Sequence, residues 1–410
     1  MRKVDRWAGV PCCLFMTLLR KLVSLVWKRK PAGPPKRILF IELAETGALV
    51  VAYPAMAHAR RLFPDAEIYF MSFALGSEML PLLGVDQEHQ IIIRPNGLWR
   101  FAVDTLKALR RVRKLKIDAC VNLECFARFS TLLAFFSGAP RRAGYGRFYD
   151  EGRYVGDLVT HKNIYTPHVH AAVGYIGLVQ SLSEEPDKEP RSKQSLHGVS
   201  LALPRVESGV PARKAVLAEI RAQYPDFRDS QRIVLLNSNA GDLVLTRRWP
   251  EEHFIALAQG LLREPDVLIA FTGAPDERES AENLRQRLDS ERVLNMAGRT
   301  TLPGLMDLYN VSDLLITNDS GPAHFASLTD IPVIVLFGPE TPRIFGPLGD
   351  SVDAVYLGLS CSPCVAVYNQ KRSPCTDNQC LKQITPESVL NKALAVLSEK
   401  RGKEAYKIIA

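Results

Sequence analysis

The segment Leu314–Pro347 contains the residues of this sequence whose types and spacing best suit the binding of an anion. An apolar run, predicted to be a strand, ends in Asn318–Asp319–Ser320–Gly321–Pro322, and proline is favoured as the first residue of a helix. A helix that starts at a strand end aims free backbone N–H groups at a ligand, and a diphosphate would fit there. An Asp or Ser before Gly-Pro also caps many helices that bind no ligand. Both interpretations remain open for this segment on its own.

Polar residues also follow other predicted strands in the same half of the chain. Ser238 and Asn239 come after one strand, Arg247 precedes a predicted helix, and Asp276 lies in the turn after the next strand. The carboxyl ends of parallel strands meet at one edge of a sheet, where ligands bind. The small polar residues and the arginine suit a diphosphate, and the carboxylate suits the hydroxyl groups of a ribose. Together these residues predict a nucleotide-diphosphate pocket.

The elements that must position these residues alternate between strand and helix. One series runs from the strand Arg37–Leu43 to the strand Ile117–Leu123, and a second runs from Arg232–Asn237 to Val333–Phe337. The polar, proline-containing segment Ser181–Lys214 separates them, as an interdomain connection would. This alternation predicts an α/β protein with two doubly wound domains that face each other across a cleft. The lack of a G-x-G-x-x-G motif and of a P-loop motif disfavours a dinucleotide dehydrogenase or a P-loop enzyme.

In these features the chain resembles glycosyltransferase family 9, the family of ADP-heptose:lipopolysaccharide heptosyltransferases, which has the two-domain GT-B fold. Four segments carry the resemblance: RILFIELAETGALVVAYPAMAHARRLFPDAEI, NAGDLVLTRRWPEEHF, FTGAPDE and TNDSGPAHFASLTDIPVIVLFGPETPRIFGPLG. The resemblance implies two Rossmann-like domains, with residues 37–195 binding the acceptor and residues 196–355 binding the nucleotide sugar. Residues 1–36 would then be a leader and linker, and residues 356–410 a Cys-rich segment with a C-terminal helix.

The reaction that the resemblance implies is inverting transfer of heptose from ADP-heptose to a lipid-linked saccharide such as the lipopolysaccharide core. The family's donor contacts fall here on Arg247, Asp276 and Asp319–Pro322. The family's catalytic aspartate falls on Ala48, which cannot accept a proton. Glu45, in the same loop, is the substitute that we expect to act as general base. Service by another residue and loss of catalysis are the alternatives, and the second would leave a nucleotide-sugar-binding protein.

The acceptor side of the molecule is less sharply marked in the sequence. By resemblance to the family, Arg128 falls at a cationic acceptor contact and His170 at a histidine of the acceptor cleft, although both residue types also serve structural roles. Seven basic residues lie between Arg100 and Lys116, with Asp104 as the one acid among them. Such a block is either a solvated helix face or a surface that attracts an anionic acceptor or membrane.

Four cysteines near the C-terminus are spaced regularly enough to form one unit: Cys361, Cys364, Cys375 and Cys380. Four thiolates bind zinc tetrahedrally, and with no open ligand position such a site would be structural. Two disulfides would need an oxidising compartment, and reduced thiols without a ligand are the third possibility. No cofactor is predicted beyond this structural zinc.

The positive charge of the chain is concentrated in its leader. Formal net charge is +8 over 410 residues, but residues 1–30 carry eight basic side chains against one acid. The nearly neutral body disfavours a nucleic-acid-binding protein. Apolar residues at helical spacing within residues 7–30 predict a helix at an anionic membrane surface, and packing on the body or a cleaved signal are the alternatives. We therefore expect a peripheral protein on the cytoplasmic face of a bacterial inner membrane.

Overall fold

The structure, a computed structural model, describes residues 9–26, 33–43, 45–148, 152–186, 193, 195–241, 244–369 and 371–409, without the side chains of residues 23–26 and 400–409. The basic ends of the leader and Ala44 of the first turn lie outside these ranges. Contacts divide the chain into two units. The first is Met1–Ala202 with Val367–Gln370, and the second is Leu203–Ala366 with Lys371–Ala410. This division falls beyond the predicted boundary at residue 195, and most of the Cys-rich segment belongs to the second unit.

The first unit is built on a parallel sheet of six strands in the order β3-β2-β1-β4-β5-β6. Its strands are β1 Arg37–Ile41, β2 Glu67–Phe73, β3 Gln90–Ile93, β4 Ala119–Asn122, β5 Arg141–Tyr145 and β6 His161–Asn163. Its helices are α1 Gly9–Val26, α2 Thr46–Leu62, α3 Met79–Leu82, α4 Leu98–Lys114, α5 Arg128–Phe136 and α6 Ala171–Ser181. The central strands are apolar along nearly their whole length because helices cover both faces of the sheet.

The second unit has a sheet of the same kind in the order β12-β11-β10-β7-β8-β9. Its strands are β7 Arg232–Asn237, β8 Val267–Phe271, β9 Val293–Asn295, β10 Leu314–Asn318, β11 Val333–Phe337 and β12 Val352–Tyr356. Its helices are α7 Val210–Gln223, α8 Glu251–Leu261, α9 Arg278–Leu288, α10 Leu302–Asn310, α11 Gly321–Ala326, α12 Pro342–Phe345, α13 Gln379–Lys382 and α14 Pro386–Ile409. Single 3₁₀ turns at Leu245–Arg247 and Pro275–Glu277 follow β7 and β8.

Both sheets have the strand order of a dinucleotide-binding fold, with the first strand of the unit beside the fourth. The order of connection therefore reverses between β1 and β4 and again between β7 and β10, and these reversal points are where such sheets bind ligands. In the second unit Thr317 of β10 pairs with Asn237 of β7, so the loops that follow these strands start side by side. The two doubly wound, Rossmann-like units confirm the predicted GT-B fold class.

Strand β5 was not predicted from the sequence because it begins with two arginines. In the structure Arg142 is buried, and its guanidinium donates from Nε to Leu158 O (2.8 Å) and from Nη1 to Ala139 O (2.5 Å). The same group lies 5.6 Å from the centre of the Phe135 ring. Backbone carbonyls and an aromatic face thus stabilise the buried charge of Arg142. The sequence pattern alone predicts an exposed position for such a residue.

Helix α1 docks on the first unit along one narrow stripe. Thr17 Oγ1 donates to Cys13 O (2.7 Å) and accepts from Asp157 N (2.9 Å), and Arg20 Nη1 donates to Asp157 O (2.7 Å). A Cβ atom on Gly156 would lie 2.7 Å from Thr17 Oγ1, so the helix rests on bare backbone there. Pro11 lies in the first helical turn, where a missing N–H breaks no bond.

The opposite face of helix α1 is apolar and open to solvent. Five large side chains on it are 41–63% exposed: Leu14, Phe15, Leu18, Leu19 and Leu22. Among the described residues, no helix has the length and apolar character needed to cross a bilayer. The predicted packing on the body is therefore found for one stripe of the helix, and the opposite face is left uncovered by the described residues.

Candidate functional site

Asn318 joins three segments at the reversal point of the second unit. The side chain is fully buried, and its Nδ2 donates to Ser238 O (2.8 Å) while its Oδ1 accepts from Trp249 N (2.9 Å). The predicted donor contacts Ser238 and Asn239 are buried in the turn that Asn318 holds. Asn239 Nδ2 is buried and has no hydrogen-bond partner among the described residues. The turn after β7 therefore offers a fixed, unused donor at the strand end.

Arg247 lies beside two buried carboxylates without a close contact to either. Its side chain is 12% exposed, and its Nη1 lies 3.9 Å from Asp319 Oδ2 and 4.0 Å from Glu340 Oε2. Lys371 Nζ lies 3.9 Å from Glu340 Oε1. Charge-assisted hydrogen bonds are about 2.7–2.9 Å long, so these are loose pairs. Arg247 Nε and Glu340 Oε1 lack hydrogen-bond partners among the described residues, as expected of groups placed for a ligand.

The predicted phosphate segment, Asp319–Pro322, begins next to Arg247. Asp319 is buried at the end of β10, and its N–H donates to Leu336 O (3.1 Å). Ser320 stands at the start of α11, but its side chain does not cap the helix and donates instead to Asn318 O (3.2 Å). A Cβ atom on Gly321 would lie 2.9 Å from Phe325 Cζ, so this glycine is required for close packing inside the protein. Pro322 takes the first turn of α11, as predicted.

Two neighbouring acids in the turn after β8, Asp276 and Glu277, have different environments. Glu277 Oε2 accepts from Ala274 N (2.8 Å) and closes the turn. Asp276 is exposed, and β8 pairs with β7, so its turn neighbours the turn of Ser238 and Asn239. This arrangement favours Asp276 over Glu277 as the acid that would face a ribose, and that role stays a prediction.

Three carboxylates gather at the reversal point of the first unit. Glu45 immediately precedes α2 and is half-buried, and Glu42 is buried at the end of β1. Glu124, which follows β4, accepts from Leu43 N through Oε1 (3.0 Å). Burial raises the pKa of Tyr175 well above its usual value, and the charges of Glu42 and Glu45 raise it further. Glu124 was not among the predicted site residues, although its place directly after a strand at this edge marks it.

The two predicted acceptor contacts have structural partners in the first unit. Arg128 is buried, and its Nε donates to Tyr154 O (2.8 Å), which fastens the 152–156 loop. His170 caps helix α6 by accepting from Ala172 N through Nδ1 (3.2 Å). Contact of either residue with an acceptor stays a prediction. Asp104 of helix α4 accepts a hydrogen bond from Arg94, which follows strand β3 and holds the pKa of Asp104 at about 2. The charge of Asp104 is therefore paired with Arg94 rather than with the basic residues of the helix.

A family model described as glycosyltransferase family 9 (heptosyltransferase) matches residues 106–373, about two thirds of the chain. The chain belongs to glycosyltransferase family 9. Lipooligosaccharide heptosyltransferase 2 of Haemophilus influenzae is 25% identical over 370 residues, which are 88% of this chain and 99% of that protein. Lipooligosaccharide heptosyltransferase 2 of Campylobacter jejuni is 30% identical over 174 residues, and this match spans about half of that protein (53%).

Among solved structures, the chain is similar to ADP-heptose lipopolysaccharide heptosyltransferase II of Escherichia coli. The TM-score is 0.65 at 20% sequence identity, over 89% of this chain and 99% of that one. This family 9 member thus has the expected fold along nearly its whole length. It gathers Ser238, Asn239, Arg247 and Asp319 in one corner of the second unit, and sequence reasoning missed Asn318, Glu340 and Lys371 there.

Proposed function

We propose that this protein is a glycosyltransferase that moves heptose from ADP-heptose to a lipid-linked saccharide such as the lipopolysaccharide core. The observation that carries the proposal is the loosely paired, nearly buried Arg247 between Asp319 and Glu340. A guanidinium with an unused N–H at the reversal point of a doubly wound sheet suits a diphosphate. Membership of family 9 and the names of the aligned relatives support heptose and ADP as the transferred sugar and its carrier.

In the donor complex that we propose, Arg247 pairs with the diphosphate and stabilises the negative charge that develops on the leaving ADP. The Asn239 amide donates to a phosphate oxygen, and the Asp276 carboxylate accepts hydrogen bonds from the ribose hydroxyls. Asp319 and Ser320 line the same corner, with Gly321 and Pro322 forming its floor. Asn318 acts through its neighbours, since it fixes both the β7 turn and the segment that leads to α8.

For the acceptor, we propose Glu45 as the general base. Its carboxylate takes the proton from an acceptor hydroxyl, and that oxygen attacks the anomeric carbon as the bond to the ADP oxygen breaks with its electron pair. The configuration at the anomeric carbon is inverted, ADP leaves, and Glu45 carries the proton at the end of the step. Support comes from its position: Glu45 stands directly before helix α2 at this strand end and is more exposed than Glu42.

We propose in addition that the protein works as a peripheral protein on the cytoplasmic face of a bacterial inner membrane. The exposed apolar face of helix α1 supports this, because an amphipathic helix lying in the interface buries such a face in lipid. Helix α4 adds exposed Leu98 and Trp99 together with the basic residues up to Lys116, which suit anionic headgroups. A lipid-linked acceptor would then diffuse in the plane to which the enzyme is bound.

A second candidate is a nucleotide-sugar-binding protein that no longer transfers sugar. One observation favours it: Ala48 occupies the position where the family's base is expected. The two candidates share the donor corner, so binding of ADP alone does not separate them.

The test is an ADP-release assay with ADP-heptose and vesicles carrying a truncated lipopolysaccharide acceptor. We expect the wild-type protein to turn over ADP-heptose. Glu45→Gln should lose turnover while its ADP binding is unchanged. The matched control Glu279→Gln, at an exposed glutamate of helix α9, should turn over the donor at the wild-type rate. Full turnover in Glu45→Gln would remove Glu45 as the base, and Glu124→Gln would then be assayed next. ADP binding without turnover of any nucleotide sugar would establish the second candidate.

A further inference from the structure

The Cys-rich segment of the second unit folds back onto the end of strand β11. Ser362 Oγ donates to Gly338 O, and the backbone N–H groups of Cys364 and Val365 donate to Pro339 O (3.0 and 2.9 Å). The first pair of cysteines, Cys361 and Cys364, is thereby held beside Gly338–Pro339. Cys361 is exposed and Cys364 is half-buried, so this pair forms the outer part of the segment.

The second pair of cysteines reaches the same place from the other direction. Cys380 is buried in the short helix α13, and a Cβ atom on Gly338 would lie 3.0 Å from its Sγ. Cys375 is half-buried, and its Sγ donates to Asp377 O (3.2 Å). Gly338 therefore leaves the room into which the Cys380 thiol fits, so Cys364 and Cys380 both lie at the end of strand β11.

Ser373 links the first pair of cysteines to the second. Its Oγ accepts a hydrogen bond from Cys375 N (3.1 Å). The same hydroxyl group donates to Cys364 Sγ (3.2 Å). None of the four cysteines takes part in the donor or acceptor chemistry proposed above.

We propose that Cys361, Cys364, Cys375 and Cys380 bind one structural Zn²⁺ ion. Four thiolates in tetrahedral array are a preferred ligand set for zinc, and its uptake releases the four thiol protons to solvent. In this structure no three of the four sulfurs lie within 4.8 Å of one another. The loaded site that we propose therefore requires the exposed Cys361 segment to move towards buried Cys380 when the metal binds.

The zinc site would fasten the turn that carries Arg247. Asn378, between Cys375 and Cys380 in sequence, donates through Nδ2 to Thr246 O (3.0 Å) and to Arg248 O (2.9 Å). The segment also carries Lys371, which pairs with Glu340 next to Arg247. Ordering of the Cys-rich segment by a metal therefore holds the backbone on both sides of Arg247.

The test measures metal directly and needs no sugar donor. The full chain is purified under reducing conditions without chelator, and its zinc content is measured by elemental mass spectrometry. We expect about one zinc per chain. Chelator treatment with a reductant present should lower the thermal midpoint, and added Zn²⁺ should restore it. Loading with Co²⁺ should give the strong visible absorption of tetrahedral cobalt thiolate. Cys361→Ser, at an exposed position that tolerates serine, should weaken zinc binding by an order of magnitude or more, whereas the control Cys12→Ser keeps the metal.

Three results would overturn the proposal. Zinc well below one equivalent, with all four thiols reacting with a thiol reagent in the folded chain, would establish reduced cysteines. An intact mass lowered by the hydrogens of two disulfides would establish oxidised pairs. Equal zinc retention by Cys361→Ser and Cys12→Ser would place the metal elsewhere. Because no transfer activity is measured, failure of this proposal is distinguishable from failure of the proposed function.

Discussion

Replacing Leu14, Leu18 and Leu22 together by alanine should release the protein from membranes without unfolding helix α1. These residues lie on the exposed apolar face, and 50%, 54% and 63% of their surface is open to solvent. Alanine has the highest helix propensity, so the helix itself should be kept. The docked stripe of Cys13, Thr17 and Arg20 is unchanged, so contact with the body should also persist.

The magnitude follows from the exposed surface. Each Leu→Ala change removes roughly three CH₂ groups, which are worth about 0.8 kcal/mol each on leaving water. Since about half of that surface is available for insertion, each position contributes about 1.2 kcal/mol, and the three together contribute about 3.6 kcal/mol. At 1.4 kcal/mol for each factor of ten, the partition coefficient should fall by roughly several hundredfold.

The assay is sedimentation of the full chain with sucrose-loaded vesicles of phosphatidylethanolamine and phosphatidylglycerol at fixed salt. The control is Val210→Ala, which shortens an equally exposed apolar residue at the start of helix α7 in the second unit. The reasoning fails if the triple variant partitions within about threefold of the natural chain. It also fails if Val210→Ala alone causes a comparable loss.

Three further results are expected. Asn318→Ala leaves the buried Trp249 N–H and Ser238 C=O groups without their side-chain partner. It should therefore lower the free energy of unfolding, measured by urea denaturation, by about 2–5 kcal/mol. A loss near zero would show that Asn318 does not hold these segments together. Glu282, whose pKa is lowered to about 2 mainly by the hydrogen bond from Arg285, should stabilise the fold above its ordinary pKa of 4.5 and lose that effect as the pH falls towards 2. Glu282→Gln should therefore flatten the dependence of the urea midpoint on pH over that window, and an unchanged slope would contradict this. Glu340→Gln removes a negative charge that faces Arg247 and should tighten ADP binding in calorimetry by about threefold or more, so weaker binding would show that the carboxylate positions the cation instead.

Much of the fold could be predicted because the strands of a parallel sheet are continuous apolar runs. The bounds of β7 and β11 were predicted to the residue. Where a strand carries polar residues, the pattern fails. Strand β5 opens with two arginines, and β6 is the short run His161–Lys162–Asn163, so neither shows the apolar pattern from which strands are predicted.

The proposed donor site around Arg247 was predicted from strand ends, but the contacts within it were not. Arg247 and Asp319 are 72 positions apart in the chain, and their proximity depends on the pairing of β10 with β7. Asn318 was passed over because a buried asparagine gains its role from the Ser238 and Trp249 backbones, which only the folded chain brings together. Glu340 was missed for the same reason, because the residues next to it in the sequence do not indicate that it is buried next to Arg247.

The way helix α1 is fastened also sets a distance. Thr17 and Arg20 hold it to the backbone at Asp157, and Gly156 lets it lie directly on the chain, so the helix is part of the body rather than a tether. On a membrane bound through the exposed face of helix α1, as proposed, the strand-end carboxylates of the first unit would stand at one height above the lipid headgroups. Acceptors whose saccharide is too short to rise to that height, or too long to present its terminal hydroxyl there, would be excluded. The proposed enzyme would then select acceptors by the length of their saccharide, measured from the membrane surface to which helix α1 binds.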